Sequence, residues 1–310
     1  MTDTIASVSL TDAARDPSSF AARIGASFVD YGFAVVADHG IAQSLIDRAE
    51  AQARAFFALP DATKRRYALS EGGARGYTPF GIETAKGAHA HDLKEFWHVG
   101  RELGHDHPFR AMMAANVWPA ELPDFRETFL LLYDSFDRVG LEILAAIARY
   151  LGLDEDYFRD TVRDGNSVLR LLHYPPQPEP TGEHIRAGAH EDINTITLLL
   201  GAEEAGLELK TKDGRWIPVS PRPGELVVNI GDMLQRLTNG KLRSTPHRVV
   251  NPAPDRASLA RYSMPFFLHF RPDFLIEALP GTVAEGEAPT WPPITAHDYL
   301  AERLREIKLA

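Results

Sequence analysis

The sequence predicts an α+β fold with a mainly β core, and three observations carry that reading. From about residue 166 onward, short strand-like runs alternate with turn signals: "NSVLRLLHY", "TITLLL", "LELKTKDG", "RWIPV", "GELVVNIG", "HRVVN", "RYSMPFFLHF" and "DFLIEAL". No helical pattern separates them, so an antiparallel sandwich or jelly roll is expected rather than a parallel sheet. The first half carries helical spacing instead, and a long apolar stripe lies between the two regions.

Taken in order, Ser18 and Ser19 are expected to cap a helix through "FAARIGASFVDYG" that stops at Gly32, and "FAVVADHG" reads as a short strand. A second helix, "IAQSLIDRAEAQARAFFALP", ends before Pro60. Between Pro123 and Leu151, Phe125, Phe129, Leu132, Phe136, Val139, Ile143 and Ile147 fall at three-and-four spacing on one face of a long helix, with Pro123 suited to its first turn. Such a helix needs an apolar sheet to lie against. Residues 174–188, "YPPQPEPTGEHIRAG", form the most loop-like stretch. With no repeat and no linker, residues 1–310 read as one domain: a helical and strand region over 1–120, then the long helix and jelly-roll core over 121–310.

Composition excludes several functions. The chain is 44% hydrophobic with a formal net charge of -10, and its 33 basic residues are scattered, so nucleic acid is not an expected partner. Cysteine is absent, which removes disulfides and thiolate chemistry and leaves His, Asp and Glu as the strong metal ligands. No run approaches the roughly 18 apolar residues that span a bilayer, and the N-terminal stretch lacks a signal pattern. The expectation is a soluble, cytoplasmic protein without a membrane partner. Phosphate-binding glycine loops are also missing, so nucleotide cofactors have no support.

The chemistry concentrates in "AGAHEDINTITLLL", residues 187–200, where a polar head precedes a strand built for burial. In an extended segment His190 and Asp192 share a side while Glu191 points away. A third ligand must come from elsewhere, and "STPHRVVNP" offers His247. Two histidines and a carboxylate on one side of a metal leave the other open, as in non-heme Fe(II) centres; zinc fits the same donors, although no general base for a hydrolase is evident. In "RYSMPFF", Arg261 and Ser263 share a strand face and can clamp a carboxylate by a guanidinium fork and a hydroxyl. An open metal face beside such a clamp suits a dicarboxylate chelating at one end and held at the other.

At this point the chain resembles the Fe(II)/2-oxoglutarate-dependent oxygenases of the isopenicillin N synthase-like family over most of its length. "DYGFAVVADHGI" and "AFFALPDATKRRY" look like that family's N-terminal region, "RGYTPFGIE" with "DLKEFWHVG" its middle, and "VVNIGDMLQRLTNGKLRSTPHRVVNP" its metal-binding core. The resemblance implies a double-stranded β-helix and a dioxygenase using Fe(II), 2-oxoglutarate and dioxygen, which couples decarboxylation of 2-oxoglutarate to hydroxylation or desaturation of a small molecule. It assigns His190, Asp192 and His247 to iron, Arg261 and Ser263 to the far carboxylate, and Tyr174 to cosubstrate or substrate contact. Plant members usually have Thr and Gly where this chain has Glu191 and Asn194, which bears on substrate rather than chemistry.

For the substrate, Arg170 shares a strand face with Leu172 and Tyr174, and a cation there suits an acidic or amino-acid-like molecule. Glu83 borders the pocket in this family, and the pair resembles that of the ethylene-forming enzyme, although Ile193 departs from its tyrosine. An oxidase that needs no 2-oxoglutarate and a non-catalytic metal-binding sensor are the competing functions. "HAHD" at 89–92 and "GHDHP" at 104–108 have ligand-like composition but no strand to orient them, and His39, His98, His173, His184, His269 and His297 read as surface or packing residues.

Overall fold

The computed structural model describes residues 4–69, 75–82, 92–176, 186–200, 206–251 and 258–306. The strands are β1 (Ser7–Ser9), β2 (Phe33–Ala37), β3 (Gly76–Thr78), β4 (Glu95–Gly100), β5 (Val168–Tyr174), β6 (Ala187–His190), β7 (Ile196–Leu200), β8 (Leu207–Lys210), β9 (Trp216–Pro218), β10 (Leu226–Ile230), β11 (His247–Val249), β12 (Arg261–Ser263), β13 (Pro265–Leu268), β14 (Leu275–Ile276) and β15 (Ile294–Thr295). The helices are α1 (Thr11–Arg15), α2 (Pro17–Tyr31), α3 (Gln43–Phe57), α4 (Asp61–Lys64), α5 (Phe125–Leu151), α6 (Tyr157–Val162), α7 (Asp232–Leu237) and α8 (Ala296–Glu306).

A large sheet runs in the order β1-β2-β10-β7-β13-β5-β4-β3, with β12 also pairing β5, and a smaller sheet runs β6-β11-β8-β9. Apart from the parallel β1–β2 pair, the ladders are antiparallel, which is the jelly-roll arrangement the turn-separated runs predict. Period-two alternation gives the large sheet two unlike faces. Ile196, Leu198, Leu226, Val228, Leu169, Leu171 and Phe266 turn to one side and join the main core with α2, α3 and α5. Phe33 and Val227 turn to the other and pack with Ala187, Leu207, Leu209 and Val249 of the small sheet.

The α5 stripe is buried as expected, from Phe125 to Ile147. Phe136 stacks on Phe266 with centroids 5.4 Å apart and rings 3° from parallel, and Tyr133 meets Phe266 edge-on at 4.9 Å. Gly140 lets the helix approach β13 closely, since a Cβ there would sit 2.4 Å from Leu268 Cδ1.

Some local expectations need correction. Asp16, not Ser18 or Ser19, caps α2: its Oδ1 accepts from Ser19 N at 3.0 Å and Pro17 opens the first turn. Asp124 stands at the α5 N-cap, so Pro123 lies just outside that helix. "RYSMPFFLHF" forms two strands broken at Met264, and "DFLIEAL" contributes β14 to a separate two-stranded ladder with β15. A short helix, α7, does interrupt the strand-rich half, and it matters for the site.

One buried group gives an acid sensitivity. Burial pushes His269 down to about 4 from 6.5, against the hydrogen bond from its Nδ1 to the Phe267 carbonyl at 3.0 Å. Between those values the unfolded chain binds a proton that the folded chain refuses, so this group makes stability fall as pH drops from 6.5 towards 4. His269→Gln should therefore flatten the dependence of melting temperature on pH across that window in the metal-free chain, and an unchanged slope would count against this assignment.

Candidate metal centre

The two sheets face each other, and the ligand-type side chains gather between them. In the antiparallel pairing of β6 with β11, His247 stands directly opposite His190, and their ring centroids lie 4.4 Å apart. His190 Nδ1 donates to the Gly188 carbonyl at 2.7 Å and His247 Nδ1 to the Thr245 carbonyl at 3.0 Å. Those bonds fix both tautomers and direct each Nε2 inward. Asp192 Oδ1 lies 3.8 Å from each Nε2, and one atom from each of the three residues falls within 4.8 Å of the others. Among the described residues this is the one such cluster.

Asp192 reaches the site by a different route from the one its sequence spacing suggests. Strand β6 ends at His190, and Asp192 sits in the turn before β7, so strand alternation does not bring the pair together. The turn is held against the start of α7: Asp232 N donates to Asp192 O at 2.7 Å, Met233 N to Asn194 O at 3.1 Å and Gly231 N to Thr195 O at 3.0 Å. Helix-start N–H groups that lack intrahelical acceptors thus find them in the turn. Gly231 is required by this closeness, because a Cβ would lie 2.1 Å from Asn194 O. Asn194 is buried, and its amide donates to Ile196 O at 2.7 Å, which gives a structural reason for an amide at this position.

The outer carboxylate oxygen is fully committed. Asp192 Oδ2 accepts from Thr197 Oγ1 at 2.5 Å and Asn229 Nδ2 at 2.8 Å. Burial works to raise the Asp192 carboxyl, but the charges of His247 and His190 and these two hydrogen bonds together hold it below its ordinary value. Burial, helped by His247 and Lys94, pushes His190 down to about 4, so its imidazole is neutral near pH 7 with a lone pair to offer. Oδ1 and the two Nε2 atoms are thus the donors left over, and a nitrogen-nitrogen-oxygen set of this kind fits Fe(II).

The second expected pair lies on the face of the large sheet that also carries Thr197. On β12, Arg261 pairs with Tyr174 of β5 and Ser263 with Leu172, and both residues are buried. The Arg261 guanidinium carbon lies 5.1 Å from the Tyr174 ring centroid, and that of the buried Arg186 lies 5.9 Å from it. Arg170 does share this face: its Nε donates to His98 Nε2 at 2.6 Å, and its guanidinium carbon lies 4.3 Å from the Phe96 ring centroid and 5.3 Å from that of Phe267. His98, expected to be a surface or packing residue, is buried against the Phe96 ring and is also Arg170's cross-strand partner. His173 is a packing residue, stacked between Phe57 and Tyr262, with its Nδ1 2.7 Å from Glu95 Oε1. Glu83 lies outside the described residues, as do His89, His91 and His184.

Sequence reasoning missed Thr197, Asn229, His98, Arg186 and the pair Asp92 and Lys94. Asn229 and Thr197 left a signal: each is a lone hydrogen-bonding side chain inside an otherwise apolar strand, "LVVNI" and "ITLLL".

The comparisons agree with this geometry. Residues 4–121 match the family described as non-haem dioxygenase in morphine synthesis N-terminal, and residues 165–270 match the 2OG-Fe(II) oxygenase superfamily. A 2-oxoglutarate-Fe(II) type oxidoreductase, hxnY of Emericella nidulans, is 36% identical over 87% of this chain and 79% of its own length. The crystal structure of a 2OG-Fe(II) oxygenase family protein from Caulobacter crescentus superposes with a TM-score of 0.92 at 57% identity, covering 99% of this chain and 100% of that one. A Neurospora crassa protein in complex with alpha-KG and thymine superposes with a TM-score of 0.87 at 30% identity, covering 97% and 96%. The chain belongs to the 2OG-Fe(II) oxygenase superfamily, and it is an Fe(II)- and 2-oxoglutarate-dependent dioxygenase that acts on a small molecule.

Proposed function

We propose that His190, Asp192 and His247 hold the Fe(II), that Arg261 and Ser263 with Tyr174 beside them bind the far carboxylate of 2-oxoglutarate, and that Arg170 recognises an acidic or amino-acid-like substrate. The observation that carries the metal assignment is the convergence of two tautomer-fixed Nε2 atoms on one carboxylate oxygen, each at 3.8 Å. When bound, Fe(II) supplies the activation of dioxygen that is coupled to conversion of 2-oxoglutarate into carbon dioxide and succinate.

The protein's own part is holding and orienting. Thr197 and Asn229 keep Asp192 ionised and turned with Oδ1 towards the histidines. Arg261 offers a planar fork and Ser263 a hydroxyl from the same buried face, so a carboxylate there is gripped by charge-assisted bonds in the absence of competing water. The Tyr174 ring against the guanidinium limits its swing.

For the substrate, the support is a half-buried guanidinium on the pocket face, held by His98. A second reading has an observation of its own: Phe96 and Phe267 flank Arg170, and a structural neighbour binds thymine, so a flat neutral heterocycle is the alternative. A cytoplasmic setting belongs to the same proposal; among the described residues no helix is long and apolar enough to cross a membrane.

Anaerobic titration of the Fe(II)-loaded protein with 2-oxoglutarate should produce a visible charge-transfer band, and admitting oxygen should yield succinate. Asp192→Ala should abolish both. Arg261→Ala should weaken 2-oxoglutarate binding by about 2 kcal/mol or more, roughly 30-fold, as for loss of one partner of a desolvated charge pair; unchanged affinity would move the clamp elsewhere. For the substrate, Arg170→Met should raise KM for acidic candidates by about tenfold or more without altering 2-oxoglutarate affinity. If only uncharged heterocycles stimulate succinate formation, the second reading stands and the acidic one falls.

A further inference from the structure

Strand β6 is the edge of the small sheet, and it is only four residues long. It carries His190, yet two residues earlier it contains Gly188, whose backbone is the least restrained of any residue type. A metal ligand on a short edge strand behind a glycine would be poorly held by the strand alone. The structure supplies a brace from the other sheet. Asp92, in the segment leading into β4, accepts from Gly188 N with its Oδ1 at 3.1 Å. Its Oδ2 accepts from Lys94 Nζ at 2.8 Å, and both side chains are about 7% exposed. The carbonyl of the same Gly188 accepts from His190 Nδ1 at 2.7 Å. An unbroken line therefore runs from the Lys94 ammonium through the Asp92 carboxylate and the two polar groups of Gly188 to the ring of His190.

We infer that Asp92, with Lys94 as its charge partner, is a positioning residue for the metal ligand His190, acting through the main chain of Gly188 and tying the small sheet to the segment that leads into the large one. The inference rests on the reading of His190 as a ligand. Direct contact between a carboxylate and a ligating imidazole is a common way to orient it, and here a glycine's backbone is interposed. The bond to Asp92 satisfies an N–H on an edge strand and pins the peptide plane that precedes Gly188, which narrows the backbone freedom through which its carbonyl meets the imidazole hydrogen. Lys94 is the counter-charge beside the buried carboxylate and keeps it aimed. The acid of "HAHD" thus has a role next to the metal ligands without being one of them.

The test uses paired substitutions so that no buried charge is stranded. In the full chain, Mn(II) affinity is measured by electron paramagnetic resonance and the Co(II)-loaded protein by visible absorption. Asp92→Asn/Lys94→Met keeps an oxygen for Gly188 N and should bind Mn(II) within about threefold of wild type, whereas Asp92→Ala/Lys94→Met should bind roughly 10- to 100-fold more weakly with an altered Co(II) spectrum. A merely structural role predicts a lower melting temperature in the alanine pair with unchanged Mn(II) affinity and Co(II) spectrum, and that result overturns the inference. Should the alanine pair fail to fold, Asp92→Glu takes its place: it keeps the charge but shifts the oxygen by one methylene, and wild-type Mn(II) affinity there is equally fatal. Wild-type protein that binds no Mn(II) would instead overturn the assignment of the three ligands, which keeps the two failures distinct.

Discussion

The register between β6 and β11 is the constraint on which the rest depends. Because His190 and His247 occupy directly opposed positions on neighbouring antiparallel strands, their side chains must leave the sheet on the same side and at strand-pair distance. A slip of one residue would send one imidazole to the opposite face and abolish the donor set. Backbone acceptors two residues before each histidine, Gly188 on β6 and Thr245 just ahead of β11, then finish the orientation by holding each Nδ1. The carboxylate is held differently, by a turn docked on the first N–H groups of α7, so the three donors are fixed by a ladder and a helix start rather than by a flexible loop.

The large sheet makes this precision affordable by separating two tasks between its faces. One face is apolar and lies on α5, whose stripe meets Phe266 and, through the space at Gly140, Leu268. Deleting a buried aromatic from such a contact costs about 3–5 kcal/mol, so this face carries much of the stability. The other face alternates with it residue by residue and carries Thr197, Asn229, Arg170, Tyr174, Arg261 and Ser263. Polar groups there are buried but supplied with partners, which removes the usual penalty for placing them inside.

What the sequence made legible follows the same division. Period-two runs and the three-and-four stripe report burial on one face, so β5, β7, β10 and α5 could be read directly. The proposed ligands and carboxylate-binding residues could be named because each has a partner two residues away or a family motif around it. Strand β6 could not, since its four residues follow a proline- and glycine-rich stretch and contain no branched side chain. Asp192 could be named but not placed correctly, because the turn that carries it is set by α7, some forty residues further along the chain. Asp92, Lys94 and His98 stayed hidden for a related reason. Asp92 and His98 have Gly188 and Arg170 as partners, and pairings that distant leave no local pattern, while Lys94 takes its role only through Asp92, two residues before it.

The pairing of β5 with its neighbours also keeps two guanidiniums apart. Arg261 lies opposite Tyr174, and Arg170 lies opposite His98 on the other side of the same strand. Residues 170 and 174 are separated by about 13 Å of strand at roughly 3.3 Å per residue. Each guanidinium is kept at its own end, one against the Tyr174 ring and the other bound to His98 over Phe96. The terminal carboxyl carbons of a five-carbon diacid are only about 5 Å apart, from carbon–carbon bonds of about 1.5 Å. On the assignment proposed for Arg261, a five-carbon diacid reaching from it towards the metal donors leaves no carboxylate for Arg170, so the strand register keeps the two guanidiniums at separate ends of β5.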